Sequence, residues 1–146
     1  MLPRFEYVVE IAAPVHDVWR EFSNINRLDG KGTYRHTAWV SGAPWQKGSR
    51  LRIEMVRPFP ITVSALVSNC TPPHHAELLN HCIGLTTTQS VRFDATPTGT
   101  HARVVVEVIG KSWLLPEGAV HSLVPKLLKE SMDALRTACE AVVAPQ

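Results

Sequence analysis

The chain has 146 residues, 45% hydrophobic and 19% charged, enough apolar material for a packed core and too little charge for disorder. With 15 Lys and Arg against 13 Asp and Glu the net charge is +2, and no run of basic residues marks a nucleic-acid surface. A chain of this length buries about two-thirds of its unfolded surface, so it needs no metal or disulfide staple, and residues 1–146 read as a single domain.

No stretch approaches the ~18 uninterrupted apolar residues of a membrane span. Met1 to Glu10 alternates instead of forming the apolar run of a signal peptide. Cys70, Cys82 and Cys139 are an odd number at unrelated spacings, which is no disulfide framework. Cytoplasmic residence with free thiols is the expectation.

Phe5, Tyr7, Val9 and Ile11 alternate with Glu6, Val8 and Glu10, the period-2 pattern of a strand with one buried face. Pro14 then suits a helix first turn, and Val15, Val18, Trp19 and Phe22 recur at helical spacing. Ser23 or Asn24 is placed to cap a second short helix carrying Ile25 and Leu28, ended by Asp29-Gly30-Lys31-Gly32.

From Tyr34 to Ile109 the signals are strands and turns. Tyr34–Ser41 reads as a strand closed by Gly42-Ala43-Pro44 and Lys47-Gly48. Leu51, Ile53 and Met55 then alternate with Arg50, Arg52 and Glu54. Pro58-Phe59-Pro60 interrupts, because proline cannot donate to a ladder. Ile61–Cys70, Ala76–Cys82, Leu85–Ala95 and His101–Ile109 come next, the last two flanking the loop Thr96-Pro97-Thr98-Gly99-Thr100. About seven strands with short connections imply antiparallel neighbours.

Beyond Pro116 the period is helical. Val124, Leu128, Ser131, Leu135, Ala138 and Val142 line one side, and Lys126, Lys129, Glu130, Asp133, Arg136 and Glu140 the other. Pro125 lies inside the pattern, where it removes the bond to the His121 carbonyl and kinks or breaks the helix. The fold class is therefore α+β: a curled seven-stranded antiparallel sheet around a long C-terminal helix, with two short helices between strands 1 and 2. A sheet with one apolar face must curl around its cover, and a single helix leaves the wide end unfilled, so a cavity is expected.

This order resembles the helix-grip fold of the START-like superfamily (SRPBCC), which includes pollen-allergen-like and polyketide cyclase/dehydratase-like families. The resemblance is carried by Ile11-Ala12-Ala13-Pro14-Val15-His16-Asp17-Val18-Trp19 after the first strand, by Trp45-Gln46-Lys47-Gly48, and by Gly99-Thr100 opening the seventh strand. It covers essentially the whole chain. These are scaffold motifs, and the superfamily hosts ligand carriers, cyclases, oxygenase subunits and chaperone activators, so no reaction follows from them.

Catalytic signatures are absent: there is no nucleophile elbow, phosphate-binding loop or His-Glu-x-x-His. Cys70, His74, His75, His81 and Cys82 have a zinc-like spacing, but neighbours His81 and Cys82 on one strand point to opposite faces, and no metal or other cofactor is expected. Of the 7 histidines, His36 shares parity with inward Ala38 and Val40, and His121 precedes Leu128 by one heptad. Each reads either as a partly buried, satisfied histidine or as a polar handle or general acid/base at a cavity mouth. Asn80, Thr87 and Gln89 share inward parity with Leu78, Val91 and Phe93. Buried amides and hydroxyls there must pair with one another or meet water and ligand. Trp113-Leu114-Leu115-Pro116 anchors a loop, gates a cavity, or forms a homodimer patch. Glu54, Glu107, Asp94, Arg92 and Arg103 share outward parity, which leaves the interior without a carboxylate.

The expected function is binding of a small hydrophobic or amphipathic molecule, lipid-like or polyketide-like, without nucleic acid and without membrane insertion. Its cavity candidates are His36, Asn80, Thr87, Gln89, Trp113, His121, Leu128, Ser131 and Leu135. The alternatives are a cyclase/dehydratase-like enzyme in which His121 or His36 moves a proton, and a protein-interaction module using the outer sheet face. A one-residue bulge would exchange inward and outward faces in any strand.

Overall fold

The computed structural model describes residues 3–57, 59–113 and 115–143, except the side chains of Val142 and Val143. The chain runs β1 (Arg4–Ile11), α1 (Val15–Ser23), β2 (Tyr34–Ser41), β3 (Arg50–Met55), β4 (Ile61–Thr71), β5 (His75–Cys82), β6 (Leu85–Thr96), β7 (Gly99–Lys111) and α2 (Glu117–Val143). The seven strands form one antiparallel sheet in the order β1-β7-β6-β5-β4-β3-β2. Consecutive hairpins build β2 to β7, and β1 closes on β7 at the far edge, which is the curled helix-grip arrangement.

Between β1 and β2 the structure has one helix where the sequence pattern predicts two. Asn24 Oδ1 does accept from the Asn26 amide at 3.2 Å, as a cap would. The helix does not propagate, because the Asn26 side chain is drawn to Asp29 Oδ2 (2.6 Å) and to the Thr37 carbonyl (2.7 Å). The segment instead forms a run of four-residue turns, with Arg27 N donating to Asn24 O and Asp29 N to Asn26 O.

α2 spans 27 residues, ~40 Å at 1.5 Å per residue, and continues unbroken through Pro125. Its inward stripe buries Leu128, Met132, Leu135 and Cys139, each contributing roughly 1.5–3 kcal/mol for the larger side chains. Two carboxylates on its flank fasten β1: Tyr7 Oη donates to Asp133 at 2.9 Å, and the Ala12 amide donates to Glu140 at 2.9 Å.

Two apolar clusters fill the molecule. One joins β1, α1, β6 and β7 to the C-terminal half of α2 around Ile11, Val18, Phe93 and Leu135. The other lies under β3, β4 and β5 around Leu51, Ala65, Val67 and Leu78, with Trp39 and Trp45 against it. Gly99 is required where β7 begins, because a Cβ there would sit 2.1 Å from the Ile11 carbonyl oxygen. Next to it, Thr100 Oγ1 donates to the Ala13 carbonyl at 2.7 Å, locking the sheet to the entry of α1.

Candidate functional site

An interior cavity of about 180 Å³ opens between the sheet and the N-terminal half of α2. Apolar side chains of β3, β4, β6 and β7 form its floor, among them Ile53, Val63, Val91 and Val106, and Leu123, Leu127 and Leu128 of α2 form its roof. The hairpin alternation puts these residues on one face, and the absence of a second long helix among the described residues leaves the space between them unfilled.

The polar groups in the wall are few. Asn80 Nδ2 donates to Thr87 Oγ1 and to Gln89 Oε1, each at 3.4 Å, long for such bonds. Asn80, Thr87, Gln89, Leu128 and Ser131, all expected inward, line this cavity. Cys82 lines it too, while His81 on the next position is exposed and pairs with Thr86 Oγ1 at 3.0 Å. Burial pushes the Cys82 thiol above its ordinary pKa.

The other expected residues lie elsewhere. His36 is 55% exposed and pairs through Nδ1 with Asp29 Oδ2 at 2.9 Å. Its inward expectation fails because His36 pairs with outward Glu54 and Ala38 with outward Arg52, so the parity of His36, Ala38 and Val40 faces out, while a bulge at Arg35 lets Tyr34, opposite Met55, turn inward. Tyr34, Thr37 and Trp39 thereby become the inward set. His121 is exposed and packs edge-on against Phe5, with ring centroids 5.6 Å apart. Leu135 is fully buried in the core, away from the cavity wall. Trp113 is 87% exposed on the connection after β7 and does not line the cavity; its neighbour Leu114 lies outside the described residues.

Sequence patterning missed two residues of the interior, Arg27 and Tyr34. Both line a smaller compartment of about 150 Å³, which shares Phe22, Tyr34, Ile53, Gln89 and Ser131 with the apolar cavity. Arg27 Nη2 donates to Ser131 Oγ at 3.3 Å, its one side-chain hydrogen bond to a described residue. Burial lowers the Arg27 pKa from its ordinary value, opposed by Tyr34 and Glu21, and the guanidinium still carries its charge. Burial likewise raises the Tyr34 phenol, keeping it protonated. No Asp or Glu is among the described residues lining either compartment.

Tyr34 and Ser131 also border a groove of about 600 Å³ on the surface, between the 28–34 segment, Arg57 and α2. Leu123 and Leu127 are common to this groove and the apolar cavity. The groove and the apolar cavity are therefore adjacent along α2.

Among the described residues no three His, Cys, Asp or Glu side chains gather into a metal site. His74 pairs with the Phe93 carbonyl at 3.0 Å, and His75 with Ser90 Oγ at 3.1 Å. No described helix is long and apolar enough to cross a membrane.

No protein-family model matches the chain, and no curated protein matches it. Solved structures do. A START superfamily protein from Mycobacterium smegmatis is 15% identical, with a TM-score of 0.78 over 96% of this chain and 99% of that one. Ara h 8.0201 is 14% identical, with a TM-score of 0.77 over 97% of this chain and 99% of that one. DynU16, a protein in the dynemicin biosynthetic locus, is 15% identical, with a TM-score of 0.67 over 94% of this chain and 47% of that one. At such identities the likeness is one of fold, and the fold is START-like.

Proposed function

We propose that the chain binds a small hydrophobic or amphipathic molecule in the cavity between sheet and α2, as a carrier, sensor or presentation module. The observation that carries this reading is an apolar chamber whose few polar wall groups hold one another only at 3.4 Å. Pockets for small ligands combine apolar walls with a small number of polar groups in this way. The chamber is smaller than the ~300 Å³ at which ordinary ligand pockets begin, so the ligand is compact or extends into the groove beside Tyr34. The START-like fold of the Mycobacterium smegmatis and Ara h 8.0201 structures supports the same reading by analogy.

The cyclase/dehydratase alternative gains little. Its candidate proton carriers are His36 and His121, and neither lines the cavity. Among the described residues the cavity wall holds no histidine and no carboxylate to replace them.

Native mass spectrometry of freshly purified protein, with its organic extract analysed alongside, tests the reading. The expected result is a stoichiometric adduct, lost on denaturation, whose mass matches an apolar or amphipathic molecule in the extract. An adduct that survives in a variant with the cavity filled would contradict it.

A further inference from the structure

We infer that the compartment at Arg27 is an anion subsite, and that the ligand is an amphipathic carboxylate: its charged group on Arg27, its apolar body in the neighbouring chamber. This deepens the cavity-binding reading and rests on it. The placement supplies three independent observations. Arg27 projects from a turn, not from a solvent-facing helix, into a compartment walled by Phe22, Leu51, Ile53 and Leu78. The guanidinium's one described partner is a neutral hydroxyl, Ser131 Oγ, at a long 3.3 Å, so most of its donors meet no described residue. No carboxylate lines the compartment, and Arg27 takes part in no ion pair among the described residues. Glu21 and Glu130 lie near enough to influence Arg27 and Tyr34, but Glu130 is exposed and accepts from Thr33 Oγ1 at 3.2 Å.

A cation withdrawn from water without a carboxylate in direct contact is costly, and a ligand anion reduces that cost. Guanidinium presents a planar fork that matches a carboxylate through two parallel bonds. Tyr34, protonated and without a hydrogen bond from its hydroxyl to a described residue, adds a neutral donor at the same wall. Arg27 is the one cation among the described residues lining the compartment, which suits a singly charged carboxylate better than a phosphate. The shared wall of Tyr34, Gln89 and Ser131 lets one molecule occupy both spaces.

The test compares octanoate, 1-octanol, octylammonium and octyl phosphate by calorimetric titration and by the NMR signal of the Arg27 side-chain Nε–H. Octanoate should bind at least tenfold more tightly than octanol, octylammonium should bind most weakly, and octanoate should shift the Arg27 signal where octanol does not. In Arg27→Gln the octanoate preference should vanish while octanol affinity stays within threefold. Arg27→Lys, which keeps the charge, should retain part of the preference. Equal binding of octanoate and octanol to the unaltered protein overturns the anion subsite and leaves cavity binding standing. Tighter binding of octyl phosphate than of octanoate overturns the carboxylate assignment. Binding of none of the four contradicts cavity binding and the anion subsite together.

Discussion

Arg27 and Ser131, 104 positions apart in sequence, meet where the turn segment after α1 touches the middle of α2, Nη2 donating to Oγ at 3.3 Å. Ser131 belongs to the apolar chamber, the Arg27 compartment and the surface groove alike. It is therefore the point at which the long helix and the turn segment jointly border the interior. Because the bond is long for a charge-assisted pair, Ser131→Ala should cost under about 1 kcal/mol in urea denaturation. A loss of several kcal/mol would show that Arg27 is held as a structural pair.

Val63 lines the chamber and is only half-buried, so its side chain can grow into open space. Val63→Phe should weaken binding of an apolar probe such as 1-octanol at least tenfold while the melting temperature stays within a few degrees. A variant that unfolds would instead mark β4 as already packed to its limit, where added volume costs ~1–3 kcal/mol.

The thiols should separate by environment. Cys139 is 3% exposed, and burial with Glu21 nearby pushes its pKa to about 11. Folded protein at pH 8 should therefore leave Cys139 unalkylated by iodoacetamide, since the thiolate is the reactive form. Cys82, at the chamber wall, should react slowly and be further protected by a bound apolar ligand. Peptide mapping by mass spectrometry distinguishes the two sites.

Acid stability has a defined sign. At Asp29 burial raises the pKa, but hydrogen bonds from Asn26 and His36, with the Thr37 amide, outweigh it and hold it below the ordinary value. At Asp133 the Lys129 hydrogen bond, helped by Tyr7, does the same. A carboxylate whose folded pKa is depressed adds stability that is complete above its unfolded pKa and lost as pH falls through its folded one. Stability should therefore drop below about pH 4, and Asp29→Asn should flatten that slope. Urea titrations at several pH values read it directly; an unchanged slope would show that Asp29 contributes nothing to acid stability.

Strand alternation in the sequence is enough to locate β3, whose inward Leu51, Ile53 and Met55 face the interior, and the long amphipathic stripe locates α2. The hidden features depend on contacts between distant segments. The bulge at Arg35 has no periodic signature, since it exists only in the pairing of β2 with β3; it turns Tyr34 in with Thr37 and Trp39, while His36 keeps the outward parity of Ala38 and Val40. Heptad spacing predicts His121 inward, but at this end of the helix the inward stripe runs Val120, Val124, Leu128, one every four residues, and His121 lies exposed beside it against Phe5. Arg27 sits in a segment whose visible pattern is the apolar pair Ile25 and Leu28. Nothing in a one-dimensional pattern shows that a charged residue from a turn will face a compartment whose described lining holds no carboxylate. The preceding Asn26, with side-chain bonds to Asp29 and Thr37, helps fix that turn.

The loop into β7 offers a test of the scaffold itself. Gly99→Ala places a methyl group against the Ile11 carbonyl and the Ala13 amide, at 2.1 and 3.0 Å, with φ at +155°. The substitution should destabilise by more than about 1 kcal/mol, because the backbone conformation and the space are both closed to a side chain. Thermal denaturation at neutral pH checks it.

Methyl NMR during titration with 1-octanol, a neutral probe that needs no anion subsite, reads cavity occupancy without intermediate steps. Cavity binding predicts saturable shifts at Val104, Val106, Leu127 and Leu128, none at Val9 or Leu135 in the packed core, and loss of the effect in Val63→Phe. Shifts confined to exposed methyls such as Val40 and Ile109, or shifts that persist in the filled variant, would contradict it.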